Sequence, residues 1–359
     1  MNKTSHYKTP HGLFGRTIFH IVTRFRRNPT IKISDLQRGG AAVIDNLLDC
    51  GYLNVAQHAT RLLNAAFPRL AFARNLCAIF ERIPPTERPH SALKDDPTKD
   101  VQIVAKNSDV VVLLFCGGNA AEAPIHPFRL GLPLPLIHRW LARLPASLIY
   151  LRDLNNVYFL NGVRTLGPSR EASLTHLRRI IASLNARRIV CYGVSAGGFA
   201  ALDFGLELGA DAVLCMAGMT NMSPEFNVYT MREKKSFALQ SRFRDARLDM
   251  LEAYSNAARP PRVCLVYGQN NWDDRIQAEH MAGLSSVTLC PIENCDEHNV
   301  TVPAIIRGEF DSLLDWLVRA SKERSFSQRH GDSAKRCASL LTNTGGAHVN
   351  DLSDHATRF

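Results

Sequence analysis

Ser195, His298 and Asp274 are the residues of this chain whose types and order could carry nucleophilic acyl chemistry. Ser195 sits in Gly193-Val194-Ser195-Ala196-Gly197, after the apolar run Arg187–Val194 and before the alanine-rich start of a helix. Small residues two before and two after the serine suit a sharp strand-to-helix turn, because a side chain there would collide with neighbouring backbone. A serine hydroxyl is a poor nucleophile until a base takes its proton, and histidine can accept and return that proton near neutral pH. His298, in Asp296-Glu297-His298-Asn299-Val300, is the candidate base. A carboxylate must hold its ring in the right tautomer; Asp274 is the favoured acid and Asp273 the alternative. The developing oxyanion needs donors already in place, and these would be the N–H of Ala196 and one from Gly118 or Asn119. This chemistry requires no metal and no cofactor.

Strands and the loops after them must position these groups. Asp109–Phe115 is a continuous β-rich run that empties into Cys116-Gly117-Gly118-Asn119, and a glycine pair there lets backbone N–H groups face a substrate. Arg262–Gly268 is a second buried strand, followed within a few residues by Asp273 and Asp274. Ser286–Cys290 reads as a last strand, with His298 in the loop after it and a closing helix over about 304–317. Pro168–Leu184 reads as a helix and Asp211–Met216 as a short strand.

The segment around Ser195 resembles the nucleophile elbow of the α/β-hydrolase superfamily, and the order of oxyanion loop, elbow, acid and histidine follows that pattern over about residues 108–320. The resemblance implies an α/β-hydrolase fold, a mostly parallel sheet flanked by helices, here preceded by a small helical region. It departs at one place. Many relatives carry the acid three residues after the strand-end glycine, and that position is Asn271, which holds no charge. If neither Asp273 nor Asp274 reaches His298, the acid must come from elsewhere, for instance Asp296. Leu148–Asp153 with Tyr158, Phe159, Asn161 and Gly162 is similar to a strand and loop in a bacterial branch of the superfamily; Asp153 would organise the loop and Tyr158 would wall the pocket.

The sequence has 359 residues, 45% hydrophobic, enough for one large core and an accessory region. No run approaches the length of a membrane span, and the first residues lack the pattern of a signal peptide, so a cytoplasmic location is expected. The nine cysteines form no Cys-x-x-Cys pair and read as apolar fillers of buried strands. Of the net charge of +10, seven units fall in residues 1–40, where eight Lys or Arg face one acid. Nucleic acid is therefore not expected as a partner. Residues 1–35 form a basic amphipathic arm; the face Phe14, Ile18, Ile21, Val22, Phe25 within residues 12–27 would either pack on the next region or touch an anionic membrane, placing the protein peripherally at the inner surface.

Residues 36–84 read as helices broken at Gly51 and Pro68, a spacing that resembles one tetratricopeptide unit. One unit makes no solenoid, so the hairpin should dock on the hydrolase domain or on a protein partner. Residues 85–107 read as a proline-marked linker, 108–320 as the hydrolase domain that the resemblance implies, and 321–359 as a polar tail expected to be disordered. Within the domain, about 219–258 would be a lid-like insertion built on a long polar helix. Its charge argues against long-chain lipid and for short-acyl or polar esters, such as an acetylated glycan. Two readings stand. One is a carboxylic ester hydrolase, or a related acyl transferase, working through an acyl-Ser195 intermediate. The other is a catalytically weak or inactive hydrolase fold serving as an interaction module in a surface-polysaccharide or secretion pathway, motivated by Asn271 and the helical arm.

Overall fold

The computed structural model describes residues 44, 47, 53–69, 71–83, 98–117, 134–228, 230 and 233–323. The arm 1–35, the membrane-contact segment 12–27, the break at Gly51, Gly118, Asn119 and most of the tail fall outside them.

Among the described residues seven strands make one sheet: β1 (Val101–Val104), β2 (Val110–Phe115), β3 (Ser147–Leu151), β4 (Arg188–Val194), β5 (Ala212–Met216), β6 (Arg262–Gly268) and β7 (Val287–Ile292), in the order β1-β3-β2-β4-β5-β6-β7. All neighbours run parallel except β1, which lies antiparallel on β3 with Val101 opposite Leu151. β2, β3 and β5 are buried along their whole length, which is why they read as unbroken apolar runs and not as alternating ones.

Successive side chains leave a strand on opposite faces, and the core accordingly divides in two. Val112, Leu114, Tyr150, Tyr192 and Val266 pack on one face with helices α1 (Leu53–Ala66), α2 (Ala71–Arg82), α3 (Leu134–Leu141), α10 (Thr301–Arg307) and α11 (Glu309–Glu323). Val111, Leu113, Phe115 and Cys191 pack on the other with α4 (Arg170–Ser183), α5 (Ala196–Glu207), and residues of the segment between β5 and β6, which holds α6 (Pro224–Asn227), α7 (Glu233–Arg242) and α8 (Met250–Ser255). α9 (Trp272–His280) follows β6.

Several expectations change. The insertion is three short helices, α6, α7 and α8, and a polar network ties its two ends to each other and to α9 (Thr220 N–H and Asn221 N–H to Gln277 Oε1, 2.8 and 2.9 Å; Asn221 Nδ2 to Asp249 Oδ2, 2.8 Å). The closing helix is two, split at Gly308, whose φ of +78° ends α10 in the left-handed conformation that glycine adopts without penalty. Val101–Val104, inside the segment expected as a linker, is an edge strand. Helices α1 and α2 take one of the two placements expected for them and dock on the sheet domain: Ala56, Leu63, Leu76, Ile79 and Phe80 join the same apolar cluster as α10 and α11.

Candidate active site

Ser195 stands between the carboxyl end of β4 and the first turn of α5, with φ +53° and ψ −118°. This is a strained backbone for a residue with a Cβ. What enforces it is close packing on both sides. A Cβ on Gly193 would lie 2.0 Å from the carbonyl oxygen of Gly197, and one on Gly197 would lie 2.0 Å from that of Phe115. Both positions of Gly-x-Ser-x-Gly flanking the serine are thus closed to any side chain. The second contact also brings the end of β2, Phe115 and Cys116, against the elbow.

The serine side chain makes no capping bond to its helix. Its Oγ instead lies 2.8 Å from Nε2 of His298. Nδ1 of the same ring lies 2.9 Å from each carboxylate oxygen of Asp274. With Nδ1 protonated and donating to Asp274, Nε2 is the free acceptor for the serine proton. Asp274 is 1% exposed, Ser195 7%, and water competes little for this chain of bonds. The imidazole is more open, with 30% of its side chain exposed.

The partner of His298 is therefore Asp274, not Asp273, which sits half-buried one residue earlier in the same helical turn. Asp296 contributes only its backbone carbonyl to the arrangement, as acceptor of a hydrogen bond from Asn271 Nδ2 at 3.0 Å. Asn271 occupies the expected acid position for a different reason. It is the N-cap of α9, its Oδ1 accepting from Asp274 N–H at 3.1 Å, and this fixes Asp274 in the first turn with its carboxylate toward His298. Sequence reading passed over this role, although an Asn three residues before an Asp at the start of a helix is a capping signature. Neighbouring backbone bonds lace the two loops together: Gln269 N–H to Ile292 O at 3.0 Å and Asn270 N–H to Cys295 O at 2.8 Å.

Ala196 is the first residue of α5, so its N–H has no intrahelical partner and the positive end of the helix dipole lies at the serine. Gly118 and Asn119, the expected source of a second donor, lie outside the described residues. Asp153 organises its loop as expected. Its buried carboxylate accepts from Asn155, Val157 and Phe159 N–H at 3.0, 2.6 and 3.0 Å, while burial pushes its pKa above the ordinary value. The loop holds Asn156, Tyr158 and Phe159 at φ between +54° and +60°. The ammonium of Lys235 in α7 lies 4.7 Å from the centre of the Tyr158 ring, joining this loop to the insertion. Among the described residues no cluster of His, Cys, Asp or Glu could hold a metal ion, and no helix is long and apolar enough to cross a membrane.

A mostly parallel sheet of this order, a strained serine between strand and helix, and an acid and a histidine following in that chain order define the α/β-hydrolase fold. No family model and no curated protein matches the sequence. Solved structures similar to the chain include a truncated carbohydrate esterase from gut microbiota (12% identity over 62% of this chain and 90% of that one, TM-score 0.41). Others are an S-formylglutathione hydrolase from Agrobacterium tumefaciens (14%, 59% and 84%, TM-score 0.38) and an esterase of the bacterial hormone-sensitive lipase family (13%, 87% and 99%, TM-score 0.41). At these TM-scores the fold assignment rests on the sheet order and the elbow alone.

Proposed function

We propose that the protein is a serine hydrolase that cleaves a carboxylic ester through an acyl-Ser195 intermediate. The observation that carries this reading is the unbroken chain of bonds from Ser195 Oγ through the His298 ring to the buried Asp274 carboxylate. Nε2 of His298 takes the serine proton as Oγ attacks the acyl carbon and later gives it to the leaving alcohol; water then resolves the acyl-enzyme with the same base. Asp274 holds the ring and stabilises the imidazolium. The N–H of Ala196 stabilises the oxyanion, with a second donor from Gly118 or Asn119.

The charged insertion favours short-acyl or polar esters, an acetylated glycan among them, with Tyr158 as a pocket wall. The absence of a carboxylate at Asn271, which motivated the non-catalytic reading, is offset by Asp274. The test is labelling by a fluorophosphonate probe, which reports an activated serine without needing the substrate. Wild type should label, and Ser195→Ala and His298→Ala should not. A folded wild type that stays unlabelled overturns the hydrolase reading.

A further inference from the structure

Cys264 and Cys290 occupy adjacent strands, and their sulfur atoms lie 3.0 Å apart, the Cys264 thiol donating to the Cys290 sulfur. The register explains the meeting. Cys264 stands opposite Thr288 and Cys290 opposite Val266, so the two cysteines are diagonal neighbours two residues apart along the strands, and both side chains leave the sheet on the same face. Each is buried, 1% and 7% exposed, in one apolar cluster. The separation is roughly 1 Å longer than the ~2.05 Å of a disulfide bond. Strand β7 is the last of the sheet, so opening of that edge is the route by which a small reagent reaches the pair.

We propose that Cys264 and Cys290 are a dithiol–disulfide couple that links β6 to β7. The co-reactant is a small-molecule disulfide such as oxidised glutathione. The thiolate of Cys290, which the Cys264 hydrogen bond holds below the ordinary thiol value in spite of burial, attacks one sulfur of that reagent and expels one glutathione thiolate. The Cys264 thiol then loses its proton, attacks the Cys290 sulfur of the mixed disulfide, and expels the second glutathione. Two protein thiols are oxidised and one small disulfide is reduced to two thiols. The bond falls at an informative place. β6 runs into Asn271 and Asp274, and β7 runs into the loop that carries His298, so the link ties together the strands that deliver His298 and the carboxylate that holds its ring.

The test reads the bond itself and does not depend on the hydrolase reading. Full-length protein, reduced or incubated with oxidised glutathione, is unfolded in N-ethylmaleimide and digested with trypsin and a glutamate-specific protease. Cleavage after Arg262, Arg275, Glu279 and Glu293 separates Cys264, Cys290 and Cys295 into three peptides. The expected product is a Cys264–Cys290 linked pair, lighter by two hydrogens than its two peptides, absent from the reduced sample and formed equally in Cys295→Ala. Recovery of both cysteines as maleimide adducts after oxidation overturns the proposal. So does a stable glutathione adduct on either, or a link to Cys295 in place of this one. The wild-type digest is decisive alone, so the result does not depend on any variant folding.

Discussion

The side-chain amide of Asn271 donates to the backbone carbonyl of Asp296 at 3.0 Å while its oxygen caps the helix that carries Asp274. One amide thereby fixes the acid on one loop and the approach of the base on the other. The two functions can be separated. Asn271→Asp keeps the capping oxygen and loses the donor, whereas Asn271→Ala loses both. We expect Asn271→Ala to cost about 1 kcal/mol of stability, the usual value of an N-cap. Asn271→Asp should keep that stability. Both should lower kcat on an activated ester with little change in KM. Denaturant melts and steady-state kinetics on the two variants check this; an Asp variant with full kcat would show that the tether to Asp296 does not matter.

Asp274 and Asp273 share a helical turn but face different surroundings, Asp274 buried against the His298 ring and Asp273 half-buried. Asp274→Asn preserves shape and removes the charge that holds the tautomer, a change that costs on the order of 10⁴ in kcat where a serine, histidine and aspartate act together. Asp273→Asn should retain kcat within about a factor of two, because it leaves every bond in the chain intact. The ratio of the two kcat values on one ester is the measurement. Equal losses would remove Asp274 from its assigned role.

How much of this was legible in the sequence depended on the range of the interaction. The elbow was, because Gly193 and Gly197 answer a clash with backbone a few residues away and the clash is implied by the turn itself. So were β2, β5 and β6, whose apolar runs match the buried strands almost residue for residue. The acid was legible in part: Asp274 was favoured over Asp273 from the sequence, but what holds it there, the cap that Asn271 places on its helix, was not read. The edge strand β1 hid although Val101, Ile103 and Val104 are apolar and β-branched, because it is only four residues long and follows a proline-marked stretch that reads as a linker. The anchoring of the insertion was hidden for a different reason, since Gln277 holds Thr220 across 57 positions of sequence.

Arg170 and Asp203 meet across the second face of the sheet in a two-pronged ion pair, Nε to Oδ2 and Nη2 to Oδ1, both at 2.7 Å. Asp203 is buried in the middle of α5, and burial pushes its pKa up while Arg170 opposes the shift. Removing the arginine strands a buried carboxylate. Arg247 reaches the same carboxylate only at 3.4 Å and is more exposed. Arg170→Ala should therefore cost about 3 kcal/mol, and Arg247→Ala well under half of that. Chemical denaturation of the two variants decides; a larger loss for Arg247→Ala would reverse the assignment.

His138 carries the pH dependence of stability that this fold makes testable. Its ring is 3% exposed, beside the buried Tyr150 hydroxyl, and burial with the nearby charges of Lys106 and Arg139 pulls its pKa down to about 4. Burial also pushes the Tyr150 hydroxyl well up, so the phenol keeps its proton and donates it to Nδ1. In the unfolded chain the ring titrates near its ordinary value of about 6.5. Above that pH it is neutral in both states and contributes no pH dependence. As pH falls from about 6.5 to about 4, only the unfolded chain takes up the proton, and stability drops by about 1.4 kcal/mol per pH unit, about 3 kcal/mol in all. Below about pH 4 both states are protonated and the loss levels off. His138→Gln keeps an acceptor for Tyr150 and removes the titration, so its unfolding free energy should fall about 3 kcal/mol less than that of wild type between pH 7 and pH 4. Carboxylates titrate in both proteins and cancel in the difference. Parallel slopes for wild type and variant would mean that His138 is protonated in the folded state, and that water reaches the Tyr150 pair.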